Sequence, residues 1–407
     1  MSNMNLITSL LHLPEDALQK IDASTFLLML PVVPHTCPHC HATTTKVHSY
    51  RNQPIKTTLF YSSGYSLVYR KRRYICHSCR KAFFEKNSFL SRYQRMMKIT
   101  IAQIIQEHGY LTSSSDIAQR YGVSTSTVMR FFKSVAPGTK QLSSAISIDE
   151  FKGNTGAKFQ VVIHDLTTYQ CLNIIEDRAP DILYAKILEY PLEERLKVRH
   201  VSIDLSLAFR KMVQECFPNA QIAADKFHVV RLANDALDSI RKEVQKNLPK
   251  EQRRHFKHSR YLLLSREKNL RKEEDRAALQ VILNYSDDLS AAYAMKEAYF
   301  NLIDSKDSQT FSSKLKQFQL AVEKQESRPF KRLLKTTLAW KKEILHGIAT
   351  GFNNGFTEGC NTTIKNLKRI CYSFRNFENF RRRILYLLTN PDRCKRRIAR
   401  TCRQICV

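Results

Sequence analysis

The sequence has no long hydrophobic run. Its longest apolar stretch, Phe26 to Val33, is far shorter than a membrane span and is broken by Pro31. The first twenty residues lack a basic n-region and contain Glu15 and Asp16, and neither an amphipathic anchor nor a lipidation signal is present. A soluble, cytoplasmic and nucleoid-associated protein is therefore expected. Acidic residues are scarce: 37 Asp and Glu stand against 66 Lys and Arg, for a formal net charge of +29. That surplus creates a field that seeks polyanions, and nucleic acid comes first because phosphate contacts release counterions. Paired cysteines are scarce too. Of eleven, only Cys37, Cys40, Cys76 and Cys79 fall in a paired pattern, while Cys171, Cys216, Cys360, Cys371, Cys394, Cys402 and Cys406 are scattered. This argues against a disulfide framework and for a reduced compartment with one metal site. Neither an internal repeat nor a low-complexity tract is found.

What is present is enough apolar residue, 43% of 407, to fill two or three domains. Residues 1–34 read as a short helical leader ending at Pro31 and Pro34, with Leu10, Leu11 and Leu13 as its apolar side. From 35 to 90, short polar and aromatic runs surround the paired cysteines, as strands and knuckles would; from 91 to 137 the period lengthens to helical. Pro137, Gly138 and a Ser-rich joint lead into a long domain, 144–390, opening with an antiparallel meander: Ile146 to Phe151, Phe159 to Leu166 and Gln170 to Glu176. Helix (Asp181 to Glu189), strand (His200 to Ile203), helix (Ser206 to Cys216) and strand (Gln221 to Ala224) follow as α/β alternation. About 230–350 is a charged, all-helical insertion. A last helical segment runs from about Asn354 to Leu388, and 391–407 form a basic tail. The expected fold class is multidomain α/β.

Cys37-Pro38-His39-Cys40 and Cys76-His77-Ser78-Cys79 are two C-x-x-C pairs, a spacing that lets both thiolates of each pair reach one tetrahedral ion from a tight turn. One structural Zn²⁺ is expected, with a hairpin or small sheet through Thr57 to Tyr69 filling the chain between the pairs. Around it Arg70, Lys71, Arg72, Arg73, Arg80 and Lys81, interleaved with Tyr69 and Tyr74, suit a DNA backbone. Downstream, Ile99 to His108, Ser115 to Tyr121 and Thr125 to Ser134 form a helix-turn-helix unit, with Gly122-Val123-Ser124 as the turn and Ser124 as cap. Ile117, Ala118, Tyr121, Val123 and Val128 face inward. Thr125, Ser126, Thr127 and Arg130 are left to meet DNA.

Three carboxylates stand out. Asp149 lies on a strand where Glu150 must point to the opposite face. Asp204 follows the strand His200 to Ile203, at the edge where α/β sites collect. Glu358 lies on a helix whose one face joins Asn354, Glu358, Asn361, Thr362 and Lys365, with Asn361 and Lys365 assigned to DNA. Two strands and a later helix can thus hold two Mg²⁺ (or Mn²⁺) about 4 Å apart, activating a water or a 3′-hydroxyl without a protein nucleophile.

The segments Ser147-Ile148-Asp149-Glu150-Phe151, Ser202-Ile203-Asp204-Leu205-Ser206, Ala224-Asp225-Lys226-Phe227-His228-Val229 and Asn354-Gly355-Phe356-Thr357-Glu358-Gly359-Cys360-Asn361 resemble the catalytic blocks of bacterial insertion-sequence DDE transposases of the ISL-three type. The resemblance spans nearly the whole chain. It implies a zinc-ribbon-like module, a helix-turn-helix and an RNase H-like mixed sheet interrupted by the helical insertion. It further implies catalytic roles for Asp149, Asp204 and Glu358, and leaves Asp225 and His228 as second-shell, DNA-contacting or structural residues. The expected partner is double-stranded DNA, both element terminal inverted repeats and target, held by a homodimer or higher assembly because two ends must meet. A zinc-dependent DNA-binding regulator with an inactive RNase H-like domain and a structure-specific nuclease are the rival readings.

Overall fold

A computed structural model of the protein describes residues 8–9, 13–14, 16–58, 64–135, 138, 140–153, 158–256, 259–352 and 355–389. The chain divides into two compact units, Met1–Pro137 with Asn366–Ser373, and Gly138–Lys365 with Phe374–Val407. Leu10, Leu11, Asn354 and the basic tail lie outside the described residues.

The first unit contains a five-stranded sheet: β1 (Leu18–Lys20), β2 (Thr25–Leu28), β5 (Val47–Ile55), β6 (Ser66–Ile75) and β7 (Ala82–Phe84). Its order is β1-β2-β6-β5, with β7 also on β6. The short β3 (His35–Thr36) and β4 (Thr43–Thr44) pair separately. The expected helical leader is corrected here. Residues 18–28 form an antiparallel hairpin, and β2 runs parallel to β6. Alternation is the reason: Phe26 and Leu28 point inward on β2, joining Leu18, Leu67, Tyr69 and Phe89 in one core. The expected hairpin between the cysteine pairs is β5–β6, longer than foreseen and paired from Val47↔Tyr74 to Ile55↔Leu67.

β6 is the spine of this sheet and changes its buried side midway. Leu67 and Tyr69 are buried on one face, then Arg72 and Tyr74 on the other, leaving Arg70 and Arg73 exposed. Three helices follow at Lys98–Glu107, Ser114–Arg120 and Thr125–Lys133, packed around Ile104, Ile117, Ala118, Val128 and Phe131.

The second unit carries a mixed sheet of order β10-β9-β8-β11-β12: β8 (Ala145–Lys152), β9 (Phe159–Asp165), β10 (Cys171–Ile175), β11 (His200–Ile203) and β12 (Gln221–Ala224). β8, β9 and β10 are antiparallel, and β8, β11 and β12 are parallel, so the meander passes into α/β alternation as expected. Helices Pro180–Leu188 and Leu207–Cys216 accompany it, and a short helix, Leu192–Lys197, was not foreseen. Helix Lys341–Thr350 packs on β12, where a Cβ on Gly347 would stand 3.1 Å from the Ala224 carbonyl.

Between β12 and that helix, Lys226–Asn247 opens a run of helices reaching Arg328–Ala339, with Tyr299, Phe311, Phe318 and Phe330 at its centre. At its junction with the sheet, Asp304 binds Arg266, Lys226 (2.9 Å) and Lys268 (3.3 Å). The final helical segment is also corrected: it is two helices, Gly355–Ile370 and Phe377–Leu388. Tyr372 (φ 49°) and Ser373 (φ 87°) turn the backbone left-handed, and the Asn376 side chain caps the second helix.

Candidate functional site

The cysteine knuckles are built alike. The Cys37 and Cys76 amides donate to Ala42 and Lys81, the His41 and Arg80 amides donate back to Cys37 and Cys76, and His41 and Arg80 both take positive φ. This brings Cys37 Sγ to 3.6 Å from Cys79 Sγ and Cys40 Sγ to 3.4 Å from Cys76 Sγ, with all four sulfurs within 4.8 Å of one another. A tetrahedral Zn–S shell of about 2.3 Å needs sulfurs about 3.8 Å apart. The cluster therefore fits a structural zinc.

The basic run beside it is not uniform. Arg70 lies over the Tyr50 ring (4.5 Å) and Lys71 over Phe84 (4.8 Å), both rings being exposed. Arg72 is only 4% exposed and salt-bridges Glu85 at 3.5 Å, which removes it from the expected DNA surface. Tyr69 and Tyr74, expected at that surface, are buried: Tyr69 donates to Glu85 at 2.7 Å and Tyr74 packs on His35. Tyr50 and Phe84 are the aromatics that sequence reasoning missed. Their partners, in the pairs Tyr50↔Arg72 and Arg73↔Phe84, lie on other strands, so no local signal marks them.

In the three-helix region Ser113 forms a capping box with Asp116, and Ser124 caps Thr125–Lys133 by accepting from the Thr127 amide. Thr125, Ser126 and Arg130 are exposed. Thr127 is half-buried, its hydroxyl 3.0 Å from that of Ser124.

Asp149 on β8 is 5% exposed and accepts at Oδ1 from the Glu150 amide (2.8 Å) and at Oδ2 from Asn361 Nδ2 (2.9 Å). Two positions earlier, the Ser147 hydroxyl meets Thr357 at 2.6 Å. Asp204, just past β11, accepts from the Ser206 amide. Just past the neighbouring strand β12, fully buried Asp225 caps the next helix and holds His228 Nδ1 at 2.7 Å. Glu150 turns to Arg178 at 2.6 Å, away from Asn361, although its charge still raises Asp204.

Electrostatics tie these groups together. Burial raises Asp149 to about 6, with Asp204 and Asp225 pushing the same way and His228 opposing. Burial likewise raises Asp204 and Glu358, and Asp225 repels both. His228 is raised, first by its hydrogen bond to Asp225 and further by Asp149 and Asp204. Lys365, exposed on the Glu358 helix, lowers Glu358. Asp225 and His228 thus act on all three of Asp149, Asp204 and Glu358. Among the described residues, however, only the four cysteines have three or more donor atoms within 4.8 Å of one another. A field that penalises its own carboxylates is one that a divalent cation would relieve. The chemistry of the donor set fits such an ion.

Among the described residues no helix is long and apolar enough to cross a membrane. A transposase family model of the ISL3 type matches residues 146–384, and a model of the zinc-finger of transposase IS204/IS1001/IS1096/IS1165 matches 33–79. The transposase for insertion sequence element IS1001 of Bordetella parapertussis is 25% identical over 371 residues, covering 84% of this chain and 86% of its own. The first match takes in all three carboxylates and more than half of the sequence, and on that ground the chain belongs to the ISL3-type family of DDE transposases.

Proposed function

We propose that this transposase binds the terminal inverted repeats of its element and cuts and joins DNA at Asp149, Asp204 and Glu358, which would hold two Mg²⁺ or Mn²⁺ ions. The observation that carries this reading is the hydrogen bond from Asn361 to Asp149, which joins β8 to the helix Gly355–Ile370 that carries Glu358, with Asp204 at the end of the adjacent β11. An antiparallel trio joined to parallel β11 and β12 supports an RNase H-like description of the sheet. When bound, the ions supply Lewis-acid stabilisation of the attacking and leaving oxygens. The chain's own part is to aim carboxylates: Asn361 and the Glu150 amide orient Asp149, and the Ser206 amide orients Asp204. Asp225 holds the His228 ring, and the surrounding carboxylates favour its protonated form.

Ends are recognised by the helix Thr125–Lys133, with Thr125, Ser126 and Arg130 presented as in a helix-turn-helix. Arg70, Lys71 and Arg73 hold the backbone, and two chains synapse two ends. Asp149→Asn, Asp204→Asn and Glu358→Gln should each abolish cleavage and joining of labelled element ends while leaving folding and DNA affinity intact. Wild-type cleavage by Glu358→Gln would mean that the third ligand lies elsewhere. A wild-type protein that binds ends but never cuts them would instead establish the regulator reading.

A further inference from the structure

We infer that Asn361 and Thr357 are positioning residues that set the third carboxylate against the first, and that Asn361 acts through Asp149 rather than on DNA. The inference rests on the carboxylate reading above and deepens it.

Ser147 and Asp149 are two positions apart on β8 and so share a face, about 6.7 Å apart along the strand. Thr357 and Asn361 are four positions apart on a helix and so share a face, about 6 Å apart along its axis. The two spacings match, and the side chains meet rung for rung: Ser147 with Thr357 at 2.6 Å, Asp149 with Asn361 at 2.9 Å. Ser147 and Thr357 are fully buried, and such a hydroxyl pair is costly to separate. Glu358 lies between the rungs in sequence, directly after Thr357. Two side-chain contacts, one on either side of it, therefore seat Glu358 relative to Asp149.

The chemistry of each rung is selective. Asp149 Oδ2 faces the amide nitrogen of Asn361, a neutral donor that orients the carboxylate without cancelling its charge. The opposite amide orientation would set Asn361 Oδ1 against a carboxylate oxygen, so the donor assignment follows from charge alone. A lysine there would supply the donor but also neutralise the charge that a metal ion needs. An aspartate would put two carboxylates within hydrogen-bond distance, where both cannot ionise. The hydroxyl rung, between two uncharged groups, sets register only.

The test uses the full-length protein with Mn²⁺ alone as probe, followed by titration of Mn²⁺ in a cleavage assay on element ends. Asn361→Ala should weaken Mn²⁺ binding about tenfold or more, the usual scale for a residue that orients a ligand. It should raise the Mn²⁺ concentration for half-maximal cleavage in parallel, with affinity for element ends unchanged. Thr357→Val should do the same more weakly, and Thr357→Ser, which keeps the hydroxyl, should restore wild-type behaviour even if the valine variant folds poorly. Loss of DNA affinity in Asn361→Ala with unaltered Mn²⁺ binding would overturn the inference and make Asn361 a DNA contact. Asp149→Asn separates the two levels: if it too left Mn²⁺ binding unaltered, the carboxylate reading itself would fall.

Discussion

Arg72 and Glu85 form a buried ion pair inside what reads as a basic surface. The Glu85 carboxylate takes the Arg72 guanidinium at 3.5 Å, the Arg72 amide at 2.9 Å and the Tyr69 hydroxyl at 2.7 Å. The same guanidinium nitrogen, Nη1, also donates to the Leu30 carbonyl, tying the segment after β2 to the sheet.

Arg72→Ala should therefore act on folding. Removing one partner of a buried pair leaves the other charge uncompensated, a loss of about 3–5 kcal/mol. Thermal or urea denaturation of the first unit's signal reads this directly. Arg70→Ala, Lys71→Ala and Arg73→Ala should leave the melting curve in place. Each should weaken binding to any DNA sequence and reduce the salt slope by about one. Equal destabilisation by all four substitutions would refute the distinction.

Purified protein should carry one zinc per chain, released on unfolding. Cys37→Ser or Cys76→Ser should loosen the strands β3 to β7, because binding energy at a structural site is folding energy. Well-folded protein without zinc by metal analysis would contradict this.

Arg130→Ala and Ser126→Ala should lower affinity for element ends and spare random DNA, as measured by competition at fixed salt. Thr127→Ala should differ from both. Its hydroxyl is engaged with Ser124, so the substitution is expected to fray the helix start by up to about 1 kcal/mol. A loss on random DNA equal to that on the ends would remove the recognition role.

Asp304 gives a pH signature. Burial would raise its carboxyl, but Arg266 and Lys226 overcome this and hold it well below the ordinary range. A group depressed in the folded state stabilises above its unfolded value, near 3.9, and loses that contribution as pH falls through the folded value. Asp304→Asn should thus melt earlier than wild type at pH 7. The gap should close as the buffer is taken below about pH 3. A gap independent of pH would mean that packing, not charge, is what the substitution removes.

Local signals were legible in the sequence, and distant pairings were not. The cysteine knuckles, the three-stranded meander, β11, β12 and the Ser124 cap all depend on residues within a few positions of one another. The strand at Thr25–Leu28 depends on β6, about forty positions on, and its apolar run reads equally well as helix. Four consecutive basic residues contain no pattern that singles out Arg72, because its buried partners, Glu85 and the Leu30 carbonyl, lie elsewhere in the chain. The proposed site was read in the sequence as three carboxylates on two strands and one helix. Asn361 was read as a DNA contact because its partner lies on a strand far earlier in the chain.

That separation also bears on when the protein becomes able to act. Asp149 and Asn361 are 212 positions apart. At a synthesis rate of about 5–20 residues per second, the ribosome delivers the second roughly ten to forty seconds after the first. Throughout that interval the emerging polypeptide holds β8, and later Asp204 and the helices of the insertion, but neither Glu358 nor the side chains that seat it. On the proposed chemistry, a transposase still being translated cannot nick the DNA of its host. On the same chemistry, a product broken off within the insertion would lack Glu358 and could not cut. The helices between β12 and the helix that carries Glu358 lengthen that interval.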